Sequence, residues 1–412
     1  MNKRILLIGY NFFPEPTGIG KYSGEMVQWL VDRGYQCTVV TAYPYYPFWK
    51  VQEPYYQNRH RYQVEERAGT LGGSVTVHRC PMYIPAAPSG LKRMLLDLSF
   101  SVSAFFKVAQ LAFGPKHDYV MAVAPSFQFG LLGVFYKKVK SAKFIYHIHD
   151  MQIEAARDLK MIKSEGVVNF LLKVEKYIFN QASVVSTVSE QMVAKTEAKA
   201  KKDVVLFPNW VDDARFFPIA DRGALKTEFG FSPTDTIVLY SGAIGEKQGL
   251  ESIVYAAQEF RQEPGVKFLI CGSGPYKEKL MNLVAELKLE NVIFFPLQPV
   301  EKFNKFLNVA DLHLVIQKAN ASDLMMPSKL TTILAVGGLA LITANEGSGL
   351  HTLVQKHKVG LLAEAENQQA LTSAIKQAIV GNHEAIRLNA REYAKNYLFI
   401  DKIMTNFEQQ LN

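Results

Sequence analysis

Gly18, Gly20 and Lys21 follow the first apolar run of the chain, Arg4 to Gly9, and open a helical stretch that ends near Asp32. Backbone amides at a strand–loop–helix junction, with the positive end of the helix dipole behind them, can hold an anion. Two phosphate motifs nevertheless fail here. A Walker loop needs Gly-x-x-x-x-Gly-Lys followed by Ser or Thr, but Tyr22 follows Gly20-Lys21 and Glu15 stands where the first glycine belongs. A dinucleotide fingerprint needs its glycines directly after the strand, whereas Gly18, Gly20 and Gly24 lie well beyond Gly9 and Ser23 takes the third glycine's place. The plain alternative is a turn with positive φ after Pro16, and the loop taken alone slightly favours that turn.

Similar small and polar residues follow other apolar runs. They are Ser126-Phe127 after YVMAVAP, His147 to Asp150 ending KFIYHIHD, Gly242 to Lys247 after TIVLYS, Gly272 to Pro275 after VKFLIC, and Pro327 to Leu330 opening a helix. His147 and His149 share a strand face if the strand is regular. A strand histidine is more often packed with its nitrogens satisfied, so His149 at the strand end is favoured over His147. Glu154 and Arg157, one turn further on, could shape a pocket or form an ordinary helix-surface pair.

The elements that must position these residues come in two rounds. CTVVTAY, VTVHRCP, YVMAVAP, KFIYHIHD and VVSTVS read as buried strands, alternating with helices near Gly20–Val31, Leu91–Leu111, Gly130–Lys137 and Val167–Asn180. The alternation restarts at TIVLYSGAIG, with helices near Leu250–Phe260 and Tyr276–Leu287. The expectation is α/β: two Rossmann-like, doubly wound domains facing a central cleft where the loops after the strands converge. Residues 1–205 form the first domain and 206–397 the second, VLFPNWVDDARFFP links them, and a last helix within 398–412 packs back on the first domain.

A chain of 412 residues exceeds one ordinary core. The net charge of +8 points to anionic partners such as phosphorylated ligands, nucleic acid or acidic membranes. Zinc-ligand spacing, RNA-binding aromatic motifs and a basic helical block are missing, which argues against nucleic acid. Cys37, Cys80 and Cys271 are too scattered for a disulfide framework or thiolate metal site and suit a reducing cytoplasm. The amino-terminal apolar run is too short for a signal peptide and reads as the first strand. Met94 to Phe113 is a poor membrane span because Asp97 and Lys107 interrupt it.

With TGIGKYSGEM, APSFQFG, PYYPFWKV, FPNW, YSGAIGEKQGLE and PSKLTTILAVGG in view, the chain resembles the retaining GT-B glycosyltransferases of family 4 along its whole length. Among them, enzymes of exopolysaccharide and colanic-acid assembly are the most similar. The resemblance implies transfer from a nucleotide-sugar, a GDP-sugar such as GDP-fucose favoured, to a lipid-linked saccharide, with no cofactor and no metal. The second domain then binds the donor through Gly242, Gly245, Lys247, Gly272, Gly274, Ser328 and Lys329, with Ser328 capping the helix it opens. Gly18, Gly20 and Lys21 complete the diphosphate or acceptor side, and His149 and Asp150 serve the acceptor. The family's arginine after the first glycine and lysine before the later one are Ala243 and Gln248 here. Its paired glutamates fall on Leu324 and Thr332, so Asp323 and the Thr332 hydroxyl are the substitutes to consider. Aromatic and basic residues in Tyr43–Gln63, with Lys92, Arg93 and Lys107, suggest peripheral contact with the inner face of an anionic membrane. An NAD-dependent oxidoreductase and a non-catalytic nucleotide-sugar-binding protein remain as rivals, separable by cofactor titration and by turnover.

Overall fold

The computed structural model describes residues 3–16, 18–151, 153, 164–318 and 327–411, apart from the side chain of Lys247. Asp323, Glu154 and Arg157 lie outside the described residues. The chain divides into two compact units, Met1–Phe207 with Gln410–Asn412, and Pro208–Gln409.

In the first unit an eight-stranded sheet has the order β3-β4-β2-β1-β5-β6-β7-β8. Its strands are β1 (Arg4–Ile8), β2 (Gln36–Ala42), β3 (Gln63–Ala68), β4 (Ser74–Cys80), β5 (Tyr119–Ala124), β6 (Lys143–Ile148), β7 (Val184–Thr187) and β8 (Val205–Leu206). The central strands are covered by helices on both faces, which is why they read as unbroken apolar runs; every residue of β5 is buried. Only β3 runs antiparallel, pairing Gln63 with Arg79 at the sheet edge. Its QVEERA sequence is half-exposed and carries no apolar alternation strong enough to announce a strand. The helices are α1 (Gly18–Asp32), α2 (Gly90–Ala112), α3 (Phe129–Lys140), α4 (Glu165–Gln181) and α5 (Glu190–Ala200).

By length and composition α2 could cross a membrane, contrary to the expectation from its interruptions, although 28% of its apolar window is buried in this fold. Leu96, Phe100, Ala104 and Val108 insert into the core, while Leu91, Met94, Leu98, Val102 and Phe106 stay exposed on the other side. Asp97 breaks the apolar run because it points inward, where it hydrogen-bonds the buried Tyr10 hydroxyl.

The second unit holds a six-stranded parallel sheet of order β11-β10-β9-β12-β13-β14. Its strands are β9 (Thr236–Ser241), β10 (Val266–Cys271), β11 (Val292–Phe295), β12 (Leu312–Val315), β13 (Ala340–Thr343) and β14 (Leu361–Ala363). Helices α6 (Arg222–Glu228), α7 (Glu251–Gln258), α8 (Lys277–Glu286), α9 (Val300–Val309), α10 (Ser328–Ala335), α11 (Gly349–His357), α12 (Gln368–Val380), α13 (Glu384–Tyr397) and α14 (Ile400–Leu411) accompany it. Two apolar clusters, one on each side of the sheet, form its core. In both units the order reverses beside the first strand: β1 pairs with β2 and β5, and β9 pairs with β10 and β12. Loops leaving these strands flank the crevice that such a reversal opens at a sheet's carboxyl edge.

Candidate active site

The loops after β9 and β10 lie backbone to backbone. Gly242 N–H donates to the Cys271 carbonyl at 2.9 Å, Ile244 N–H to Ser273 O at 2.9 Å, and Tyr276 N–H to Ile244 O at 3.2 Å. There is no room for side chains between them. A Cβ on Gly272 would stand 1.9 Å from Gly242 O, and one on Gly274, at φ +155°, 2.1 Å from Ile244 O. These glycines are therefore required by loop-to-loop contact, while Gly242 (φ +156°) sets the turn out of β9. Gly245 N–H donates to Gln248 Oε1 at 3.1 Å. Gln248, which replaces the lysine suggested by the family pattern, thus closes the short turn over Glu246–Gln248.

Lys329 reaches this cradle from the first turn of α10. Its Nζ is 3.1 Å from where a Cβ on Gly242 would stand and 3.9 Å from the centre of the Tyr240 ring. Tyr240 is itself fixed by donating its hydroxyl to Ala243 O at 2.7 Å. The lysine keeps some solvent access along its length, but its ammonium end is enclosed. Burial brings its pKa down from 10.5 to about 7, with no carboxylate among the described residues to offset it. Among the described residues such a cation has no counter-charge.

Ser328 does not cap α10. It is the first helical residue, and Pro327 holds the capping position and makes no side-chain cap bond. Proline is pre-organised for a helix entry, and Leu330 N–H donates to its carbonyl at 2.8 Å. The Thr332 hydroxyl donates to Lys329 O at 2.9 Å, so it serves its own helix and offers only its lone pairs to a ligand. The structure thus brings Gly242, Gly245, Gly272, Gly274, Ser328 and Lys329 to the carboxyl edge of one sheet. The Lys247 side chain and Asp323 fall outside the described residues.

In the first unit, Gly18 begins α1 at φ +62°. Gly20 has a different reason to be glycine: a Cβ there would lie 2.4 Å from Glu15 Oε2. Sequence reasoning missed this buried acid. Its Oε1 accepts from Tyr45 N–H and Tyr46 N–H, both at 3.0 Å, and its Oε2 from Asn11 Nδ2 at 2.8 Å. Burial, only partly countered by these bonds and by Arg79, lifts its pKa to about 7. The group packed against Gly20 of α1 is thus the protein's own carboxyl group, held by Asn11, Tyr45 and Tyr46. Lys21 is turned along α1, 3.6 Å from Glu25 Oε2 and 4.6 Å from the Tyr22 ring centre. One signal was available in advance: Glu15 lies between two prolines in a short loop, where a charged side chain needs a reason to be enclosed.

His149 extends β6 by donating its backbone N–H to Ala124 O at 3.0 Å. Its ring is edge-on to His147, 4.5 Å centre to centre, and burial holds its pKa down to about 4. His147 is a packed residue bonded through Nδ1 to Ser186 Oγ at 3.0 Å. Asp150 is exposed at the rim, and surrounding protein raises its carboxyl modestly above the ordinary range. Its charge also reaches the Tyr10 hydroxyl. Ser126, after β5, has a fully buried hydroxyl without a partner among the described residues, which marks it as a group awaiting a ligand or water. Among the described residues no three His, Cys, Asp or Glu side chains gather as a metal site.

Two doubly wound α/β sheets in one chain, each reversing its strand order beside its first strand, define the GT-B class of fold. The family is more specific: residues 17–210 match the model of the glycosyl transferase 4-like domain and 221–397 that of glycosyl transferases group 1, so the chain belongs to the GT-B glycosyltransferases. It is 40% identical to a protein named as a colanic acid biosynthesis glycosyl transferase, WcaI of Escherichia coli (strain K12), over 98% of each chain. It is 23% identical to the GDP-mannose-dependent alpha-(1-6)-phosphatidylinositol monomannoside mannosyltransferase of Mycolicibacterium smegmatis, over 90% of this chain and 88% of that one. Among solved structures, Anabaena HepE in complex with UDP and glucose superposes with a TM-score of 0.65 at 16% identity, covering 100% of this chain and 99% of that one.

Proposed function

We propose that this glycosyltransferase moves a sugar from a nucleotide-sugar to a lipid-linked saccharide in exopolysaccharide biosynthesis, retaining the anomeric configuration and using no metal or cofactor. The enclosed Lys329 ammonium beside the Gly242, Gly272 and Gly274 loops carries this reading. As the bond to the anomeric carbon breaks, negative charge accumulates on the departing diphosphate, and a prepositioned cation stabilises that charge more than it stabilises bound donor. Lys329 supplies positive charge, and the start of α10 and the close approach allowed by glycine supply N–H donors. The departing phosphate then takes the acceptor's proton on the same face of the sugar. The Pro208–Gln409 unit binds the donor, and the unit of residues 1–207 takes the acceptor through His149 and Asp150. His149, neutral at pH 7, acts as a hydrogen-bond partner rather than a cation.

The likeness to WcaI supports the exopolysaccharide setting. A GDP-sugar such as GDP-fucose is the favoured donor, in keeping with a relative named for GDP-mannose and a phosphatidylinositol acceptor. The exposed apolar face of α2 beside Lys92, Arg93 and Lys107 suits a peripheral position on the cytoplasmic face of the membrane. The test is a transfer and hydrolysis screen across GDP-, UDP- and TDP-sugars with membrane extracts as acceptor. Turnover with a GDP-sugar, insensitive to a chelator, is expected. Binding without turnover of any donor sinks the reading.

A further inference from the structure

The outer face of α2 is more than an exposed stripe. Together with Tyr62, which precedes β3, and Tyr83, which follows β4, it encloses an open groove of about 520 Å³ walled by Leu95, Leu98, Val102 and Phe106. That volume lies within the range of small-molecule pockets, about 300–1,000 Å³. The walls are fixed: Tyr62 donates its hydroxyl to Ser103 O at 3.0 Å, and Tyr83 N–H donates to Ser99 Oγ at 3.0 Å. Leu98, Val102 and Phe106 are 54%, 51% and 62% exposed, so the groove is apolar and open.

Basic residues stand toward both ends of α2. The Lys107 ammonium stands 5.3 Å from the Tyr62 ring centre, the Arg93 guanidinium 5.2 Å from that of Trp49, and Lys92 is exposed beside it. The one acid on α2, Asp97, is buried on the opposite side. An apolar trough with a cationic rim complements a molecule that joins a hydrocarbon chain to an anionic head. A second copy of this chain would instead bring the same positive rim against it. The inner face of α2 also carries Asp97, which hydrogen-bonds the buried Tyr10 hydroxyl. We propose that this groove seats the hydrocarbon chain of a lipid phosphate, the anchor of the saccharide acceptor, with Lys107 toward the phosphate; this rests on the lipid-linked reading above.

The probe is farnesyl phosphate, below its micelle concentration, titrated calorimetrically into the full chain, with farnesol and inorganic phosphate alongside. Saturable binding near one per chain is expected, at least about tenfold weaker for Val102→Trp, which fills the groove, and weaker for Lys107→Gln. An unaltered melting temperature and near-ultraviolet circular dichroism verify that each variant is folded, and Leu98→Trp replaces Val102→Trp if that chain misfolds. Absence of saturable binding, equal affinity in the groove-filling variants, or a dimer that Leu98→Asp dissociates overturns the proposal. Sedimentation with phosphatidylglycerol vesicles free of prenyl phosphate tests the membrane reading separately. Sedimentation without farnesyl phosphate binding removes the groove and leaves the membrane reading; the converse removes the membrane reading and leaves the groove.

Discussion

Lys329→Met separates what an enclosed ammonium costs the fold from what it does for transfer. In the unliganded protein, burial lowers the lysine's pKa from 10.5 to about 7, a difference worth at most on the order of 5 kcal/mol before partial solvent access is allowed for. Between these values the unfolded chain binds more protons than the folded one, so wild-type stability rises with pH across that window. The penalty is fully present below about pH 7 and gone above about 10.5. The Tyr240 ring at 3.9 Å offsets part of it, by about 2 kcal/mol for a desolvated cation–π pair. Methionine is unbranched, of similar reach and uncharged. The variant should therefore melt at or above the wild-type temperature at neutral pH, with the gap closing as the buffer becomes alkaline. Transfer should move the other way. Loss of a charge aimed at the leaving group typically costs about 2.7–4 kcal/mol, or about 10²–10³ in kcat/KM. Scanning calorimetry over the pH series and steady-state transfer kinetics read the two effects. A variant that melts well below wild type at every pH, or that keeps wild-type kcat/KM, refutes the argument.

His149→Ala should lower transfer by about 10²-fold or more while nucleoside diphosphate affinity, measured by calorimetry, is retained; collapse of nucleotide affinity with transfer intact would invert the assignment of the two units. Gly274→Ala places a Cβ 2.1 Å from Ile244 O at a φ of +155°, and should cost several kcal/mol, about 2–5, in chemical denaturation and abolish donor binding; a native midpoint would show that the loops separate at little cost. Glu15→Gln keeps an acceptor for the Tyr45 and Tyr46 amides but removes a carboxyl whose pKa is raised from 4.5 to about 7. The wild-type fold holds that proton longer than the unfolded chain, so its stability falls as pH rises through this window, and the Gln variant should lack that decline. Parallel melting-temperature profiles for the two proteins would exclude Glu15 as its source.

What the sequence made legible follows from burial on both faces of a parallel sheet. YVMAVA and KFIYHI could hardly be anything but central strands, and the residues after them had to sit at the carboxyl edge. QVEERA was not legible, because an antiparallel edge strand needs no apolar alternation. The opening glycine loop was placed on the diphosphate or acceptor side by the family resemblance, its spacing having failed both phosphate motifs, yet Gly20 accommodates Glu15, a contact that exists only once the chain has turned back after Pro16. Ser328 has a capping residue's chemistry but stands one position too far along, since Pro327 sets the helix entry. Gln248 departed from the family pattern for a local reason, the bond to Gly245 N–H, that no spacing rule contains. In each miss, a partner brought close by folding outweighed the local signal.

The three thiols have a practical consequence. Cys37, Cys80 and Cys271 are all buried, and burial pushes the first two up to about 12 and raises the third above its ordinary value. The thiolate is the nucleophile in alkylation, so the native protein is nearly inert to maleimides at neutral pH. A cysteine introduced at Leu98 or Phe106, both on the open face of α2, would be the one fast-reacting thiol. A polarity-sensitive dye attached there would report, without background labelling or removal of native cysteines, when that face leaves water.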